Sequence, residues 1–136
     1  MLAHLPADTA EKRLIKKDWH DRMQEGSSMQ ILLDQMGFSS RFCGYKMLAD
    51  AIAIAVKDDE AVTRITQLIY PQVAEKFQSN ARNVEKNMRK AIENFWDHGN
   101  RDVYTHIAGH KVYYRPTNAE FIAAVSSFIL RQNERR

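Results

Sequence analysis

Apolar residues recur at helical spacing along most of this chain, and its five glycines and three prolines fall where such runs begin or end. A pattern of that kind leaves room for little besides helices. In SMQILLDQMG, Ile31, Leu32 and Met36 share a face, and Gly37 stands where a helix-ending glycine is expected. GYKMLADAIAIAVKDD repeats the pattern with Tyr45, Leu48, Ile52, Ala55 and Val56. Asp58 or Asp59 is placed to cap a following helix with core positions Val62, Ile65, Leu68 and Ile69. YPQVAEKF is a short helix with Pro71 in its first turn and Val73, Ala74 and Phe77 inward. Ser79 or Asn80 caps the next run, which Gly99 ends. RDVYTHIAGH reads as one more short helix, and HKVYYR, which alternates weakly, as a short extended link. In PTNAEFIAAVSSFIL, Thr117 and Glu120 have capping-box spacing, and Phe121, Val125 and Phe128 follow at helical intervals. The expected fold is all-α, a bundle of about six helices.

The chain has 136 residues, enough for one domain with a single core. Hydrophobic residues at 44% and charged residues at 27% describe a globular chain rather than a disordered one. No apolar run approaches the roughly 20 residues that span a bilayer, and MLAHLPADTAEKR lacks the apolar centre of a signal peptide. Cys43 is the only cysteine, so an internal disulfide is impossible and a reducing cytoplasm is the expected setting. A net charge of +3 permits an anionic partner without demanding one, so the distribution of charge matters more than its total.

Residues 1–27 stand apart from 28–136. They hold five basic and five acidic residues, with Ile15, Trp19 and Met23 as a narrow apolar stripe on a polar helix, and Gly26-Ser27-Ser28 breaks the pattern. An appended helix is expected here, either a fraying or linker segment or a dimerisation or docking helix.

SNARNVEKNMRKAIENFWDHGN carries the functional signal. Val84, Met88, Ala91, Ile92 and Phe95 form its core face, widened by Trp96. Arg82, Glu85, Lys86, Arg89, Lys90 and Glu93 fall opposite. The first half is basic apart from Glu85, and the second carries the acids Glu93 and Asp97. A short helix, a polar turn at Gln78-Ser79-Asn80 and this longer helix have the layout of a helix-turn-helix over about 71–98. The second helix of that motif enters the major groove N-terminal end first, where phosphate walls favour basic residues. A solvated surface helix with Glu85 and Arg89 as a plain i, i+4 pair is the competing explanation.

Several stretches resemble the C-terminal effector domain of the sporulation master response regulator of endospore-forming bacteria, stage zero sporulation protein A. They are ILLDQMGFSSRFCGYKMLADAI, ITQLIYPQVAEKF, VEKNMRKAIENFWDHGN and KVYYRPTNAEFIA, in family order with almost no length change, over roughly residues 29–131. The resemblance implies a helical bundle that binds double-stranded DNA at boxes related to TGTCGAA and activates or represses transcription. It implies residues 71–77 as the first helix of the motif and about 80–98 as the recognition helix. Glu85 and Arg89 match family residues at the reading end; a carboxylate accepts from a cytosine amino group, and a guanidinium fork suits guanine or a phosphate pair. Lys86 stands where the family usually has Arg, Lys90 where it often has His, and Asn83 where it often has Arg. These departures leave the target as a TGTCGAA-like box or a drifted relative of it. Ser79, Asn80, Arg82, Lys111 and Arg115 are the expected backbone contacts, with capping or solvation as the alternative roles. Arg131, Arg135 and Arg136 form a solubilising basic tail.

Family resemblance also raises an RNA polymerase sigma factor and a second copy of the chain as partners. The family's full-length member carries a phosphorylatable receiver domain, and 27 residues are too few to fold into one. Control by receiver phosphorylation therefore does not carry over, and the chain is expected to be either a stand-alone relative, which Met1 favours, or the effector half of something longer. Enzyme chemistry, cofactors and metals are not expected. His106 and His110 alone among five histidines lie at i, i+4, Gly109 interrupts them, and no glycine-rich phosphate loop occurs. Nothing marks Cys43 as an activated nucleophile. A second function class remains: a protein-interaction module of the same fold that antagonises a full-length regulator without touching DNA.

Overall fold

A computed structural model describes residues 28–134, so the expectations for residues 1–27 and for Arg135 and Arg136 lie outside the described residues. The described residues form six α-helices: α1 (Ser28–Gln35), α2 (Cys43–Lys57), α3 (Tyr70–Lys76), α4 (Ala81–His98), α5 (Arg101–Ala108) and α6 (Asn118–Glu134). No strand occurs among the described residues, and HKVYYR is an irregular loop. Among them no helix is long and apolar enough to cross a membrane.

Helix ends follow their local chemistry. Gly37, at φ 86°, terminates α1. The N–H of Phe38 returns to the Leu33 carbonyl and that of Gly37 to Asp34, both at 3.0 Å. The capping box before α6 is complete: Thr117 N–H donates to Glu120 Oε1 at 2.9 Å, and Glu120 N–H donates to Thr117 Oγ1 at 3.1 Å. Asn100 accepts from the N–H groups of Asp102 and Val103 to start α5, and Gly109, at φ 82°, ends it. His106 therefore lies on α5 and His110 beyond its end.

One element differs from expectation. Residues 59–69 do not form an α-helix; Asp59–Arg64 is a 3-10 helix and Ile65–Ile69 a single π turn. Asp58 is the cap, accepting from Glu60 N–H at 3.1 Å. Two causes combine. Val62, Thr63, Ile65, Thr66 and Ile69 are β-branched and resist regular helix. Pro71 would also press its ring on the carbonyl four residues back in an α-helix. The wider turn, closed from Tyr70 N–H to the Ile65 carbonyl, relieves that clash. Gln72 Nε2 then satisfies the Leu68 carbonyl at 2.8 Å. Of the expected core positions here Ile69 is buried, while Val62, Ile65 and Leu68 are half-buried.

Helix α2 runs through the middle, packed on α4 and α6, with α1 and α3 against it. The core stripe expected for α4 is seated: Val84, Met88, Ala91, Ile92 and Phe95 are all buried. Phe95 is the hub of an aromatic cluster. Phe38 stacks on it at 4.9 Å, and Tyr104 and Phe121 meet it edge-on at 5.8 and 6.0 Å. Each such pair adds about 0.5–1.5 kcal/mol beyond area burial. Between α1 and α2, Tyr45 donates to Asp34 Oδ1 at 2.8 Å. Burial, reinforced by that carboxylate, pushes the Tyr45 hydroxyl up to about 12.

Gly44 decides how close α2 comes to α4. A Cβ there would run into the Asn87 carbonyl oxygen and lie 2.8 Å from Ala91 Cβ. Backbone cannot yield as a flexible side-chain tip does, so Gly44→Ala must push the two helices apart. The expected cost is roughly 1–3 kcal/mol, read as a lowered thermal midpoint by circular dichroism. A midpoint equal to or above the parent's would contradict this packing.

Candidate nucleic-acid interface

Helix α3, a turn over residues 77–80 and helix α4 form the unit. The turn closes as a paired C-terminal motif on α3: Ser79 N–H donates to the Ala74 carbonyl at 2.8 Å and Gln78 N–H to Glu75 at 3.2 Å. Gln78 occupies the left-handed position at φ 52°, where glycine is usual. Asn80, not Ser79, is the cap of α4; its Oδ1 accepts from Asn83 N–H at 2.9 Å.

The exposed side of α4 runs against the helix dipole. A helix N-terminus carries partial positive charge and favours acids by about 0.3–1 kcal/mol each. The first turn of α4 holds no acid but does hold Arg82, with Lys86 one turn on. Stability alone would select the opposite arrangement. An anion bound at this end would reverse the sign of the penalty.

The acids on this face are already engaged. Arg89 Nε donates to Glu85 Oε1 at 3.0 Å, the i, i+4 pair that the sequence allowed. That bond, reinforced by the Glu85 charge, raises the Arg89 guanidinium above its ordinary value. It uses Nε and not the terminal Nη pair that forms the fork for guanine. Glu93 Oε2 accepts from Arg115 Nη1 at 3.0 Å. Arg82, Lys86 and Lys90 make no ion pair among the described residues.

The structure thus gathers Arg82, Asn83, Glu85, Lys86, Arg89 and Lys90 on one helix, with Ser79 and Asn80 at its start. Glu85 is half-buried and the other seven are exposed. Arg115 joins them through Glu93. Lys111 lies further out on the same loop, 5.7 Å from the centroid of the Tyr113 ring.

Sequence reasoning missed the residue that holds this unit in place. Asn118, the first residue of α6, is buried and donates its Nδ2 to Tyr70 Oη at 3.0 Å and to the Glu85 carbonyl at 3.1 Å. One amide therefore ties α6 to both helices of the motif. Burial, with the nearby Glu85 charge, raises the Tyr70 hydroxyl although the Asn118 bond opposes it, so the oxygen stays protonated. On the far side Lys76 binds Asp50 Oδ1 at 3.1 Å and pins the end of α3 to α2. The available signal for Asn118 was its place just after a capping threonine, where a buried polar residue needs a partner. Asn118→Ala is expected to cost about 1–3 kcal/mol in thermal or denaturant unfolding. An unchanged midpoint would show that the two bonds carry no net stability.

A short helix, a tight turn and a longer helix with a cationic outer face, clamped on an all-α bundle, define the helix-turn-helix class. A family model described as "Sporulation initiation factor Spo0A C terminal" matches residues 29–129, and the chain belongs to that family. It is a family of DNA-binding regulatory domains.

Proposed function

We propose that the protein is a sequence-specific double-stranded DNA-binding transcription regulator with α4 as the helix that enters the major groove. The observation that carries this is the charge order of α4. Arg82 sits in the first turn, where the helix dipole disfavours it, Lys86 follows one turn on, and neither has an ion-pair partner among the described residues. Phosphate is the ligand that makes such an arrangement favourable.

Within this reading Asn83, Glu85, Lys86, Arg89 and Lys90 face the groove. Glu85 holds Arg89 through Nε before DNA arrives, which reduces the rotamer entropy Arg89 loses on reading a base. Lys86 and Lys90 act as point charges, better suited to phosphate than to a forked base contact. Ser79, Asn80, Arg82, Lys111 and Arg115 serve the backbone. The target is a TGTCGAA-like box or a drifted relative. A sigma factor and a second copy of the chain are further proposed partners, residues 1–27 a separate appendage, and action on DNA implies the cytoplasm.

Fluorescence anisotropy with a box duplex and a scrambled duplex across a salt series tests the reading. The parent is expected to prefer the box with a steep salt dependence. Arg89→Ala should weaken box binding by roughly tenfold to a hundredfold and relax the preference. Lys86→Ala should lower the logarithmic salt slope by about one on both duplexes. Equal binding of the parent to both duplexes would mean a drifted target, and no salt-dependent binding would favour the protein-interaction module.

A further inference from the structure

The loop joining α5 to α6 is held at both ends and leaves its tip in solvent. Gly109 turns the chain away from α5, its N–H on the Thr105 carbonyl at 3.0 Å. At the far end Pro116 is buried, Thr117 and Glu120 close the capping box, and Asn118 is locked to Tyr70 and Glu85. Val112 packs against the core midway. Tyr113 and Tyr114 are nevertheless 78% and 69% exposed, the large hydrophobic residues left in solvent among those described. Two adjacent rings held in water on an anchored loop gain free energy when a partner covers them.

Two observations say what covers them. The Arg115–Glu93 ion pair fastens the loop to the outer side of α4, so the tip stands beside the face proposed to enter the groove. Residues 110–115 also contain His, Lys and Arg and no acid, with the Lys111 ammonium over the Tyr113 ring. A tip made of a cation and two phenols beside a groove-reading helix is complementary to a sugar–phosphate strand. Lysine neutralises a phosphate, tyrosine hydroxyls donate to phosphate oxygens, and the rings cover deoxyribose.

We propose that Tyr113 and Tyr114 dock on the DNA backbone flanking the box, as a second contact surface for the duplex that α4 reads. The inference rests on the DNA-binding reading above. These contacts carry no base identity; they fix the angle and register of α4 in the groove and lengthen the footprint on one side.

The full chain and a Tyr113→Ser/Tyr114→Ser variant are compared by anisotropy on two duplexes, one ending close to the box and one with a further helical turn on each side. Hydroxyl-radical footprinting on the longer duplex accompanies it. The parent should bind the longer duplex more tightly, and the variant should lose roughly tenfold there, as expected for the loss of a hydroxyl–phosphate bond. The variant should match the parent on the short duplex, keep its thermal midpoint and lose the protection outside the box. Equal affinities and footprints for parent and variant on the longer duplex would overturn the inference alone and leave the tyrosines to a protein partner. A parent that binds neither duplex would overturn the inference together with the reading it rests on.

Discussion

The structure depends on how α4 is held. One side of this helix is core throughout, and the other carries charge that its own dipole disfavours at the N-terminus. Such a helix keeps its place only if its neighbours fix it. Gly44 lets the backbone of α2 approach the Asn87 carbonyl directly. Asn118 binds the Glu85 carbonyl from the other direction. Phe95 anchors the C-terminal half among Phe38, Tyr104 and Phe121. The helix is gripped through backbone and core, which leaves its polar face available.

That arrangement separates holding from reading. The contacts that orient the motif lie on α2, α3 and α6 and are buried or half-buried, apart from the exposed Lys76–Asp50 pair. The groups that would meet DNA are exposed apart from the half-buried Glu85, and two of them, Arg89 and Arg115, are steered by carboxylates of α4 itself. A substitution on the reading face can therefore change the target with little cost to the bundle. Asn83, Lys86 and Lys90 fall in this exposed layer.

Much of this was legible in the sequence where interactions are local. The glycine ending α1, the capping box before α6 and the core stripe of α4 depend on residues within about two turns of one another, so spacing reveals them. The i, i+4 bond between Glu85 and Arg89 was visible as a possibility for the same reason. The π turn at Ile65–Ile69 was not, because helical periodicity alone does not register how Pro71 alters the preceding hydrogen bonds. Gln78 takes a left-handed conformation that its residue type does not advertise. Phe38 joins the Phe95 cluster from the loop after α1 and Tyr104 from within α5, and Asn118 reaches Tyr70 across 48 positions. Such partners emerge only from the packing. For the proposed interface, charge patterning singled out α4, whereas the loop tyrosines stand out only by their exposure.

The central claim is that α4 reads the major groove. Protection of guanine N7 from dimethyl sulfate measures this most directly, because N7 lies on the major-groove edge of the base. With saturating protein on a duplex carrying the preferred site, the account predicts strong N7 protection at guanines inside that site, diminished in Arg89→Ala. Bound protein that left every N7 as reactive as in free DNA would contradict it.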